Sequence, residues 1–114
     1  EPSLVELCRQ ILEKLGYRVL TAGLPSEAFQ VALNCAGNFQ LLITDVALPE
    51  MNGKQLAEQM QALYPHIKCL FTSGYSENVI VHQGVIEQGL HFLPKPFSVR
   101  ELGAKVRQIL DEKN

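Results

Sequence analysis

The chain has 114 residues, 46% of them hydrophobic and 19% charged, which supports one domain with a core and argues against disorder. Its net charge is −2 and it has no basic run, so a nucleic-acid surface is not expected. No apolar stretch approaches the roughly 20 residues of a membrane span, and no signal peptide is visible, so direct membrane contact is not expected either.

Leu4, Leu7, Cys8, Ile11, Leu12 and Leu15 recur on one face of a 3.6-residue period and predict a first helix, with Gly16 beyond its end. Tyr17 to Ala22 reads as a strand. A second helix is predicted from Pro25 to Cys35, with Ala28, Val31, Ala32 and Cys35 inward. After a Gly37-Asn38 turn, the apolar run Leu41 to Thr44 reads as a buried strand that delivers Asp45 to a loop containing Pro49 and Asn52-Gly53. A third helix from Lys54 to Tyr64 turns Leu56, Met60 and Leu63 inward and stops at Pro65.

Cys69-Leu70-Phe71 is the next strand and ends in Thr72. A fourth helix around Glu77 to His82 should be short or irregular, because Gly84 and Gly89 weaken helix propensity nearby. His91 to Leu93 is a short strand leading to Pro94-Lys95-Pro96. The last helix starts at Ser98, makes a capping box with Glu101, and buries Leu102, Val106, Ile109 and Leu110. Strands alternating with helices over short loops imply an α/β fold, a mainly parallel sheet with helices on both faces.

Three cysteines, an odd number with no Cys-x-x-Cys pair, fit buried reduced thiols and a cytoplasmic protein. His66, His82 and His91 show no metal-ligand spacing and read as structural or solvent-facing.

Taken singly, each polar strand-end residue has an ordinary role. Asp45 can cap a turn, Thr72 has β propensity, and Lys95 can be a solvated loop residue. Together they say more. The segment Thr44-Asp45-Val46-Ala47-Leu48-Pro49-Glu50-Met51-Asn52-Gly53, with Thr72-Ser73-Gly74 and Pro94-Lys95-Pro96, resembles the active-site segments of response-regulator receiver domains. The likeness covers essentially the whole chain and is greatest to receivers fused behind hybrid sensor histidine kinases. It implies the flavodoxin-like (CheY-like) doubly wound fold.

It also implies that Asp45 accepts a phosphoryl group from a phosphohistidine, with Thr72 and Lys95 contacting that group afterwards. Asp45 and the backbone carbonyl of Ala47 would be Mg²⁺ ligands, and Phe92 would be the aromatic switch residue. The Lys95–Pro96 bond would be cis and aim Lys95 inward. Ala47 and Gly74 are small at positions that influence dephosphorylation. Gly53 answers a backbone requirement ahead of the third helix.

Measured against the resemblance, the first central strand and its acidic pair are absent ahead of Glu1. Glu1 itself reads as a helix-start acid and not a ligand. The expected Mg²⁺ site is therefore incomplete and weak, and the gap in the sheet marks a longer parent chain or a strand supplied by a neighbour. Expected partners are a histidine kinase or a histidine phosphotransfer domain; a homodimer is compatible with the sequence. The parent sensor kinase would tether the domain to the membrane. Two alternatives stand beside this reading. One is a phosphorylation-independent pseudo-receiver acting as an interaction module. The other is a phosphatase, which would want a second Asp where Ala47 stands.

Overall fold

In the computed structural model, which describes residues 2–73 and 91–112, three apolar runs form a parallel sheet. Its order is β1 (Leu41–Asp45), β2 (Lys68–Ser73), β3 (His91–Pro94). Successive strand residues point to opposite faces, and the register carries that alternation across the sheet. Leu41, Ile43, Leu70 and Leu93 meet one layer. Leu42, Cys69, Phe71 and Phe92 meet the other.

Helices cover both faces. α1 (Pro2–Lys14) brings Ile11 and Leu12 to the first layer. α2 (Pro25–Asn34) and α3 (Gly53–Leu63) bring Ala32, Leu56, Ala57 and Met60 to the second. α4 (Val99–Asp111) returns to the first layer through Leu102, Val106 and Ile109. Leu70, Leu102 and Ile109 are fully buried, so this layer excludes water at the sheet's centre.

The helix ends follow from local side chains. Ser98 Oγ accepts from Glu101 N at 3.0 Å, and Glu101 Oε1 accepts from Ser98 N at 2.8 Å, the capping box expected for α4. Ser98→Ala is expected to lower stability by about 1 kcal/mol, read as a lower urea midpoint at unchanged slope. A second box was legible but not read: Asn52 Oδ1 accepts from Gln55 N at 2.7 Å, and Gln55 Oε1 from Asn52 N at 3.1 Å. At the far end of α4, Lys68 Nζ donates to the carbonyls of Ile109 and Glu112, as cations do at helix C-termini. His66 Nε2 lies 3.0 Å from the Gly37 carbonyl and 2.9 Å from that of Phe39, a structural placement.

Four expectations are corrected here. Tyr17 to Ala22 carries no strand: a strand exists only through a ladder, and among the described residues this segment has none. Tyr17 and Val19 still pack against the α1/α4 layer. Leu15 is 54% exposed because α1 stops at Lys14, one residue short of it. Leu7 is likewise exposed, on the flank of the α1 stripe. Leu63 is 61% exposed although, seven residues after Leu56, it lies on nearly the same face, because it is the last residue of α3. The helix expected around Glu77 to His82 lies outside the described residues, as do Gly74 and Glu1.

The three cysteine thiols are free. Burial pushes the Cys69 thiol up to about 11. A folded value above the unfolded one means the neutral thiol stabilises fully below the unfolded range near 8.5 and loses that contribution as pH rises through about 11. Stability should therefore fall between these limits more steeply in the wild type than in Cys69→Ala, measured as paired urea midpoints at each pH.

Candidate functional site

Three strand ends meet on the α1/α4 side of the sheet. In the parallel register Asp45 lies opposite Thr72, and Thr72 opposite Leu93. Lys95 is two residues beyond Leu93, so alternation returns it to the same side as Asp45 and Thr72. The side chains close on one atom. Asp45 Oδ1 accepts from Lys95 Nζ at 2.8 Å and from Thr72 Oγ1. Among the described residues Oδ2 accepts no hydrogen bond.

Exposure decides what this group can do. Thr72 is 4% exposed and so is fixed by packing, while the Asp45 and Lys95 side chains keep 26% and 20% of their surface. A carboxylate anchored through one oxygen and keeping part of its surface can act as a nucleophile. Lys95 is a point charge and Thr72 a hydroxyl donor beside it. The Lys95–Pro96 peptide is cis.

The loop after Asp45 is pinned at both ends. Val46 N donates to Thr72 O at 2.8 Å, extending the ladder by one residue, and Gly53 N donates to Val46 O at 2.7 Å. Ala47 lies exposed between these pins. Phe92 sits elsewhere: alternation turns it to the opposite face, half-buried against the layer of Phe71, Leu56 and Met60.

Cys8 on α1, read from sequence only as a core thiol, lies within the field of the pair. Its thiol is pushed up by burial first, drawn down by Lys95 and raised further by Asp45. The one sequence signal for that proximity was its place in the α1 stripe.

Among the described residues no group of three His, Cys, Asp or Glu side chains could hold a metal. The oxygens on hand are Asp45 Oδ2 and the Ala47 carbonyl. Mg²⁺ keeps several waters and takes one or two carboxylates, and oxygen donors of this kind fit a largely hydrated ion.

Residues 1–107 match the family model for the response regulator receiver domain. The chain belongs to that family. The sensor kinase CckA of Brucella abortus (strain 2308) is 32% identical over 103 residues, which make up 90% of this chain and 11% of that kinase. The chain thus spans about a tenth of that relative's length. Among solved structures, the receiver domain from the hybrid histidine kinase CckA is similar at a TM-score of 0.78 and 29% identity, over 97% of this chain and 93% of that one. A CheY-like receiver domain protein from Methanospirillum hungatei JF-1 gives a TM-score of 0.83 at 28% identity, over 97% and 87% of the two chains.

Receiver domains are signalling domains of two-component systems. They interact with histidine kinases or phosphotransfer proteins and typically bind Mg²⁺. Among the described residues of this receiver domain, no helix is long and apolar enough to cross a membrane.

Proposed function

We propose that this receiver domain accepts a phosphoryl group on Asp45 from the phosphohistidine of a histidine kinase or phosphotransfer protein. The observation that carries the reading is the convergence of Lys95 Nζ and Thr72 Oγ1 on Asp45 Oδ1. In the transfer, Asp45 Oδ2 bonds to phosphorus as the phosphorus–nitrogen bond breaks, and the departing imidazole nitrogen takes a proton. Lys95 then exchanges its carboxylate partner for a phosphoryl oxygen, and the Thr72 hydroxyl donates to another. Asp45 and the Ala47 carbonyl would hold Mg²⁺, which when bound would screen the charge between the two anions. Phe92, packed on the far face, is the residue through which the change reaches the α2/α3 layer.

Two coarser features belong to the same reading. β1 is the sheet's edge, and Tyr17 and Val19 pack beside the layer that holds Leu41 and Ile43. That edge fits a further strand, from a longer parent chain or from a neighbouring molecule. The likeness to the CckA receiver supports a parent hybrid sensor kinase, with the domain on the cytoplasmic side of a tether.

The test is intact mass after incubation with acetyl phosphate and Mg²⁺. One phosphoryl adduct is expected, and hydroxylamine should remove it, since an acyl phosphate is cleaved by that nucleophile and a phosphoserine is not. No adduct from a folded chain whose β1 edge is paired would favour the phosphorylation-independent interaction module.

A further inference from the structure

The N-terminus of α2 lacks an acceptor of its own. Its N-cap is Leu24, whose side chain cannot accept a hydrogen bond, and the first four N–H groups of a helix need partners from outside the helix. Glu27 Oε1 serves the residues ahead of the helix, accepting from Gly23 N at 2.9 Å and Leu24 N at 3.1 Å. Ser26 is served from elsewhere in the chain. Glu50, 24 residues on, accepts from Ser26 N through Oε1 at 2.9 Å and from Ser26 Oγ through Oε2 at 3.1 Å. A carboxylate at this end is also favoured by the helix dipole.

Glu50 stands at the outer part of the loop that starts at Asp45. The ends of that loop are fixed by the Val46–Thr72 and Gly53–Val46 bonds, and its inner side by Leu48 and Met51 against the α2/α3 layer. The two Glu50 bonds fasten its polar side to α2, a helix that contributes none of the three convergent residues. We propose that Glu50 is a positioning residue for phosphoryl transfer, holding the 46–52 loop in register with Asp45 through Ser26. This inference rests on the phosphoacceptor reading above.

The test uses Glu50→Ala, Glu50→Gln and Ser26→Ala in the full chain. Amide exchange is followed at Ser26, Ala47, Leu48 and Met51, and the initial rate of phosphoryl uptake from acetyl phosphate is measured beside it. Losing two bonds to a charged acceptor should speed exchange about tenfold at both ends of the tether, and uptake should slow by a similar factor in Glu50→Ala. Glu50→Gln retains an oxygen that accepts from Ser26 N, so it should restore most of both. Ser26→Ala, which keeps its N–H, should fall between.

Unchanged loop exchange in Glu50→Ala overturns the proposal. So does a Gln variant as slow as the Ala variant, or wild-type uptake in Glu50→Ala. If the wild type itself takes up no phosphoryl group, the phosphoacceptor reading fails and Glu50's role in transfer falls with it; the exchange data then report the tether alone.

Discussion

Asp45→Asn is expected to abolish phosphoryl uptake and leave the fold standing. The substitution is close to isosteric, and an amide oxygen can still accept from Lys95 Nζ and Thr72 Oγ1, the two donors on Asp45 Oδ1. What is lost is the negative charge and with it the nucleophile, because a neutral amide oxygen does not displace a leaving group from phosphorus. Lys95 loses its ion-pair partner, but its side chain keeps 20% of its surface, so water solvates the ammonium. A partly exposed ion pair contributes roughly 0–1 kcal/mol, and the change in urea midpoint should stay within that range. Intact mass under identical acetyl phosphate treatment decides the matter. Stoichiometric uptake in Asp45→Asn would move the acceptor to another residue and dismantle the proposed chemistry.

The convergent triplet was legible because its geometry reduces to order along the chain. Each of Asp45, Thr72 and Lys95 closes an apolar run or follows one closely. Parallel pairing then brings successive run-ends together, whatever the details of packing. Features that depend on a distant partner were not legible. Tyr17 to Ala22 has a strand-like composition, but composition cannot report whether a neighbour completes the ladder. Leu15 and Leu63 match the helical period yet lie past a helix end or at one, and periodicity does not fix where a helix stops.

The Glu50–Ser26 contact joins two loop-facing polar residues with no pattern between them. The Asn52–Gln55 box, by contrast, is a local spacing that could have been read from the same rule that found Ser98–Glu101. Phe92 matches the family's switch position only by resemblance; alternation in β3 places it against the α2/α3 layer, on the face away from Lys95.

Gly53→Ala should produce the largest loss of stability of any single methyl group added near the site. A Cβ built on Gly53 would lie 1.9 Å from the Asp45 carbonyl oxygen, 2.9 Å from its carbon and 3.2 Å from Val46 Cα. All three are backbone atoms, so no rotamer change relieves the contact. The glycine is held there by its own N–H, bonded to Val46 O at 2.7 Å. To admit the methyl group, the start of α3 must lift away from β1. That breaks the Gly53–Val46 bond and disturbs the Asn52–Gln55 box.

Overpacking against backbone costs about 3 kcal/mol, and the better helix propensity of alanine, which is chiefly its stiffer unfolded chain, returns roughly 1 kcal/mol. A net loss of about 2 kcal/mol, seen as a lower urea midpoint, is expected. Since the clashing atom belongs to Asp45, phosphoryl uptake should slow in the fraction that remains folded. A Gly53→Ala chain as stable as the wild type would mean that α3 can retreat from β1 freely. The seat of Asp45 would then not depend on the close approach of these two backbones.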